Sequence, residues 1–398
     1  VLHSSLWSFF FLSVTFLAGD YLTRMAFPHH INFWMAWRRE ASASWLVSEQ
    51  IAIGYGLCCV SLGYIALFYT TVLQLPGVWS PSHNFHDPNI ISDYVPFLGP
   101  ISRSLHAGVW EEFLFRAVPL SAIAILGKRR GNVNLYLSIG IIIQAFIFGL
   151  AHASYPQQPS YIRMVELGIE FIIYGLVYLQ YGLLPCIVSH YLFDVFAMSE
   201  SLFFMQTPGI AIQQVGVICA LSAPMLVHLV QKFLAGSFWV SKDLPKSFYN
   251  ENWQPQYQIK PISQTAIPSK KLTTGSMIFS VVLMILTVCG LYVLRCKYVV
   301  VSPSLDIDKE VAISQAKNLA KDKLDMTKPW AITAVAQENL SLDFINYFYE
   351  KEGASKTKDL LVKRAVNYQG GLYSLEHFMP KKVWHVRFAN FEGSDVEK

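Results

Sequence analysis

The chain has little charge. Asp, Glu, Lys and Arg make up 15% of its 398 residues, against about a quarter in ordinary soluble proteins. With 53% hydrophobic residues, that deficit excludes a soluble domain over most of the length. Positive charge does not gather: the formal net charge is +4, and no basic stripe suited to a nucleic-acid backbone is present. Nucleic acid is therefore not an expected partner. Cysteine is sparse. The six cysteines all lie in or beside apolar segments and none follows Cys296, which argues against a disulfide framework; no CxxC spacing marks a zinc site. HExxH and GxSxG are also missing, which removes the common zinc-protease helix and the serine nucleophile elbow.

What the sequence has is long apolar runs. A bilayer-spanning helix needs about 20 mainly apolar residues, and about eight segments meet that measure. They run near 4–23, 45–74, 103–127, 133–153, 164–181, 183–199, 209–234 and 275–295. The first resembles a signal sequence but has no small-residue cleavage site before the next basic loop, so it reads as a retained span. The predicted fold class is an all-α polytopic membrane core of about eight transmembrane helices, followed by a small α+β soluble domain.

Charge sets the expected orientation. Arg24, Arg38 and Arg39 follow the first segment, Lys128, Arg129 and Arg130 the third, and Lys242, Lys246, Lys260, Lys270 and Lys271 the seventh. Residues 76–100, in an alternate loop, contain no Lys or Arg. The positive-inside rule places the basic loops in the cytoplasm and the C-terminal domain outside. The expected divisions are an N-terminal helix and loop over 1–44, a core over 45–235, a Pro-, Gln- and Lys-rich cytoplasmic linker over 236–274, a last helix over 275–298 and an extracytoplasmic domain over 299–398. Within the last, Asp306–Lys323 has helical periodicity, and Ala331–Val335 and Val383–Phe388 read as strands. A bacterial inner-membrane location is the expectation.

A carboxylate inside a membrane segment costs a few kcal/mol, so intramembrane ionisable residues are functional candidates. Glu111 and Glu112 stand together in the third segment, with Arg116 one turn later. Glu112 and Arg116 are spaced as an ion pair. Glu111 lies about 100° around the helix and is left for chemistry. A charge cluster that only holds helices together is the competing reading. His152 ends the fourth segment and shares a face with Phe148. In the sixth, Asp194 stands one turn from His190 and can orient its ring. Glu166 and Glu170 form another such pair in the fifth. Glutamate, two histidines and aspartate from three segments make either a general-base constellation or a metal site.

Three short motifs occur here in order: EExxxR at Glu111–Arg116, FxxxH at Phe148–His152 and HxxxD at His190–Asp194. Together they resemble the CPBP family of intramembrane proteases, which includes type II CAAX prenyl endopeptidases and bacteriocin-immunity relatives. The resemblance covers roughly residues 45–235. It implies peptide-bond hydrolysis in a helical cavity, with a peptide or protein substrate and the lipid bilayer as partners. Carried over, Glu111 and His152 would activate a water, while His190 and Asp194 would stabilise the oxyanion. Many members have Asn at the last position, and an ionised Asp194 cannot donate a hydrogen bond as Asn does. Glu111, His152 and His190 could instead hold zinc; a glutamate base needs no metal, and a reaction without a required cofactor is the expectation. The alternative function is a non-proteolytic immunity or regulatory protein that binds a partner.

Overall fold

A computed structural model describes residues 2–42, 44–72, 75, 78, 93–155, 157, 159–203, 209–236, 244–253, 309–322, 324–327, 330–337 and 383–389. The described residues are mostly helical. The helices are α1 (Leu2–Ala26), the short α2 (Arg39–Ser42), α3 (Trp45–Val72), α4 (Leu98–Glu112), α5 (Val118–Arg130), α6 (Val133–Ala151), α7 (Tyr161–Tyr181), α8 (Leu183–Ser199), α9 (Ile210–Leu234) and α10 (Lys309–Ala320). Two compact units divide the chain. The first comprises Val1–Gln74, Arg103–Asp194 and Ala220–Lys297; the second comprises Leu75–Ser102, Val195–Cys219 and Tyr298–Lys398.

In the first unit α5, α6 and α7 pack in succession and α1 covers α5. Leu120, Ala124, Leu137, Ile141, Ala145, Phe148, Leu167 and Phe171 form the core between them. Outward, α6 exposes Ile139, Ile142, Ile143, Phe146, Ile147 and Leu150. A helix apolar on its outer face as well as its inner one belongs in lipid. Among the described residues, four helices are long and apolar enough to cross a membrane: Leu6–Ala26, Trp45–Val72, Val133–Ala151 and Ile210–Leu234. The protein is an integral membrane protein.

That count is lower than the expected eight for identifiable reasons. Arg163, Glu166 and Glu170 make α7 more charged than a simple span, and α8 is short. The third segment extends over 98–130 and is broken by a π-helical turn, Phe113–Ala117. Pro119 explains the break. It has no N–H for the carbonyl of Phe115, and its ring would crowd that carbonyl in a regular α-helix. The expected eighth span, and most of the linker, lie outside the described residues.

Local chemistry closes the helical turns. Gly131 ends α5 at φ 77°, and its N–H reaches back to Gly127 and Lys128. The Asn132 side chain then accepts from Leu135 N and starts α6. This left-handed cap followed by a polar N-cap turns the chain in two residues.

One end of this unit collects the basic loops. Lys128 Nζ donates to Ala26 O at 2.6 Å, and Gln50 Nε2 to Tyr181 O at 2.8 Å. Residues 28–32 pair with 248–251 through Asn32 N to Phe248 O, Asn250 N to His30 O and Glu251 N to Pro28 O. In the second unit α10 packs on β1 (Ala331–Gln337) and β2 (Val383–Ala389). The strands are antiparallel, with Ala334 opposite Val386, and Ala312, Ala334 and Phe388 are buried. These elements stand where the periodicity predicts them; the rest of the proposed α+β domain lies outside the described residues.

Candidate active site

Two helices bring the acidic and basic groups together. Gly108 sets their separation: a Cβ there would lie 3.0 Å from the backbone N of Tyr191. This close approach lets α4 present Glu111 and Glu112 to the neighbouring His190 on α8.

Glu112 is fully buried and uses both oxygens. His190 Nδ1 lies 2.7 Å from Oε1, and Arg116 Nε lies 3.2 Å from Oε2. A carboxylate oxygen can only accept, so Nδ1 carries the proton and Nε2 is turned the other way. Nε2 faces Asp194 Oδ2 at 3.6 Å and Glu111 Oε2 at 3.9 Å. The adjacent glutamates therefore serve one imidazole from its two sides. This refines the expected division of labour: Glu112 pairs with Arg116, and also fixes the ring that Asp194 was expected to orient. Asp194 is too distant for a direct hydrogen bond.

Arg116 is held in an unusual way. It is completely buried, and Nη1 and Nη2 have no hydrogen-bond partner among the described residues. Aromatic faces surround it instead. Its guanidinium carbon lies 3.9 Å from the Phe171 ring centre, 4.5 Å from Phe148 and 5.6 Å from Tyr174. A desolvated cation–π contact contributes about 2 kcal/mol. Phe171 and Tyr174 escape sequence reasoning because aromatics at helical spacing read as ordinary core, and Phe148 stands out there only through the FxxxH motif. Their role shows only once Arg116 is placed among them.

Exposure separates the groups. Glu112 and Arg116 have no accessible side-chain surface, whereas Glu111 and Asp194 retain 18% and 15%. Of these four side chains only the latter two are accessible. His152 stands at the end of α6, partly exposed, with Nδ1 2.9 Å from Phe148 O. That carbonyl takes the Nδ1 proton and leaves Nε2 as an acceptor. The ring lies 4.5 Å from Phe148, which also touches His190 at 6.3 Å; the shared face predicted for Phe148 and His152 is present.

Glu166 and Glu170 do not join this group as a pair. Glu166 is buried in an ion pair with Arg163 and accepts from the Tyr69 hydroxyl. Arg163 also lies 5.2 Å from the Tyr155 ring, and Tyr155 faces His152 at 5.5 Å. This cluster braces α3 and α7 beside His152.

The donor set does not fit a metal. His152 and His190 each engage Nδ1 and leave Nε2 free to ligate, so convergence decides. Among the described residues, no three or more His, Cys, Asp or Glu side chains converge as ligands. The expected zinc trio of Glu111, His152 and His190 is thus not assembled, and no step below runs through a metal.

Residues 95–196 match the family model described as type II CAAX prenyl endopeptidase Rce1-like. The CPBP-family resemblance holds over this segment. The matched segment contains all three motifs, and with them Glu111, Glu112, Arg116, His152, His190 and Asp194. The sporulation-killing factor biosynthesis protein SkfC of Bacillus subtilis (strain 168) is 23% identical over 146 residues, which cover 37% of this chain and 28% of that protein. The chain thus spans less than a third of the curated relative's length. No solved structure matches the chain.

Proposed function

We infer that the chain is an intramembrane endopeptidase that hydrolyses a peptide bond in a membrane-associated, prenylated or secreted peptide. The observation that carries this reading is the pair of partly exposed carboxylates facing one nitrogen of an imidazole whose other nitrogen is fixed by Glu112. Separations of 3.6 and 3.9 Å suit groups that act through a water rather than on each other.

Glu111 is the base. It takes a proton from a water as the oxygen adds to the scissile carbonyl, and His152 Nε2 holds that water. The oxyanion forms against His190, which donates from Nε2 when protonated. Asp194 offsets the charge of the ring rather than donating. The proton on Glu111 then passes to the amide nitrogen as the C–N bond breaks. A positioned base contributes roughly 10²–10⁴ in rate, and an oxyanion donor ~3–4 kcal/mol.

The name of the relative from Bacillus subtilis connects it with making a killing factor, which favours a secreted peptide among the substrates. The basic loops at one end of the first unit support a cytoplasmic placement of that end in a bacterial inner membrane, with the C-terminal region outside.

The test is comparative peptidomics of cells carrying wild-type protein or Glu111→Gln. Peptides cut by the wild type should persist uncut in the variant, and chelator should leave wild-type cutting intact. Cleavage by a folded Glu111→Gln protein would overturn the reading. A second reading, a non-proteolytic immunity protein, is favoured by one feature: the buried Glu112–Arg116–His190 lattice can hold helices together without chemistry. Such a protein would keep its protective phenotype in the same variant.

A further inference from the structure

Away from the acidic cluster, α3, α8, α9 and the loop before α2 frame a narrow cleft. Its walls include Trp37, Val47, Ile51, Val188 and Val227, and its polar groups are His228 and Gln231. His228 is almost fully buried at 3% exposure. Its Nε2 lies 2.8 Å from Ser48 Oγ, and Lys232 Nζ donates to that same oxygen at 3.1 Å.

The chain of donors fixes the tautomer. An ammonium can only donate, so Ser48 Oγ accepts from Lys232. The Ser48 proton then goes to His228 Nε2 at 2.8 Å in preference to Ser44 O at 3.3 Å. Nε2 carries the lone pair, and the ring proton sits on Nδ1. That Nδ1 is buried and has no hydrogen-bond partner among the described residues. The cleft thus offers an unused donor between apolar walls, which calls for an apolar molecule bearing an acceptor.

The mouth indicates which one. Trp37 and Trp45 are about half exposed, Lys232 Nζ lies 5.7 Å from the Trp45 ring, and Arg38 and Arg39 follow Trp37 on the surface. Exposed tryptophans mark the membrane interface, and clustered basic residues there attract anionic headgroups. Ser48 lies within the first turn of α3, and His228 within two turns of the end of α9, so the cleft is at headgroup depth.

We propose that the cleft binds one anionic glycerophospholipid from the leaflet on the basic-loop side. An acyl chain lies between α3, α8 and α9, an ester carbonyl accepts from His228 Nδ1, and the phosphate faces Lys232, Arg38 and Arg39. The site is separate from the acidic cluster and does not depend on proteolysis.

Native mass spectrometry of the full chain in detergent tests this with phosphatidylglycerol, phosphatidylcholine of the same chains, and glycerol phosphate. The wild type should retain one phosphatidylglycerol, favoured on the order of tenfold over phosphatidylcholine, and should not retain glycerol phosphate. His228→Phe removes the donor to the ester carbonyl, which both lipids carry, and should lower retention of both. Val227 is half-exposed, so Val227→Trp can fill the cleft without disturbing the core and should do the same. The surface pair Arg38→Gln and Arg39→Gln should weaken only the charge preference. Equal retention of both lipids, retention of glycerol phosphate alone, or undiminished retention by a folded His228→Phe or Val227→Trp protein would each overturn the proposal.

Discussion

Glu112 does two things through two oxygens: it holds the Nδ1 proton of His190 and neutralises Arg116. Removing its cation is therefore expected to be costly. Arg116→Met should destabilise the protein by about 3–5 kcal/mol, the range for stranding one member of a buried ion pair. Thermal unfolding in detergent checks this. Arg116→Lys should not restore stability, because a compact ammonium cannot spread over Phe148, Phe171 and Tyr174 as a planar guanidinium does. Glu111 should behave in the opposite way. Its Oε2 has no hydrogen-bond partner among the described residues, so Glu111→Gln should leave the unfolding temperature nearly unchanged or raise it. The same change should lower cleavage by at least about 10².

At the scale of elements, two glycines let helices approach closely. Gly108 sets α4 against α8 where Glu112 meets His190. Gly149 does the same for α6 and α7: a Cβ there would lie 2.5 Å from Met164 O. Backbone cannot yield as a flexible side chain does. Gly149→Ala should cost about 1–3 kcal/mol by overpacking, read as a lower unfolding temperature. Gly108→Ala should lose cleavage out of proportion to its stability cost, because a small displacement lengthens the Glu112–His190 contact. The π turn after Glu112 belongs to the same scale. Pro119 signals a disturbance in the helix, yet Arg116 still returns to Glu112 across it.

Over the whole molecule, the loop end has its own pH dependence. His30 lies outside the spanning helices and is held down to about 3, by burial first and the neighbouring His29 second. Its Nε2–H donates to Leu179 O at 3.1 Å. A histidine kept neutral when folded but ordinary when unfolded contributes stability that is complete above pH 6.5. That contribution falls as pH drops from 6.5 towards about 3, by up to about 1.4 kcal/mol per pH unit. His30→Gln keeps a donor for Leu179 and should flatten that slope in unfolding measurements between pH 7 and 4.

Apolar run length by itself determined that this is a helical membrane protein, because a bilayer accepts little else. Motif spacing by itself picked out the polar residues proposed for the site: helical periodicity predicted the Glu112–Arg116 pair that the structure shows, and a carboxylate in lipid is costly. Sequence periodicity does not say which helices touch or how closely. Only the tertiary structure placed Glu111 and Glu112 on opposite nitrogens of His190, moved the orienting role from Asp194 to Glu112, and closed three aromatic rings around Arg116. It also left the zinc trio unassembled among the described residues, because the three side chains do not converge. Those outcomes depend on separations between α4, α6, α7 and α8 that no single helix encodes.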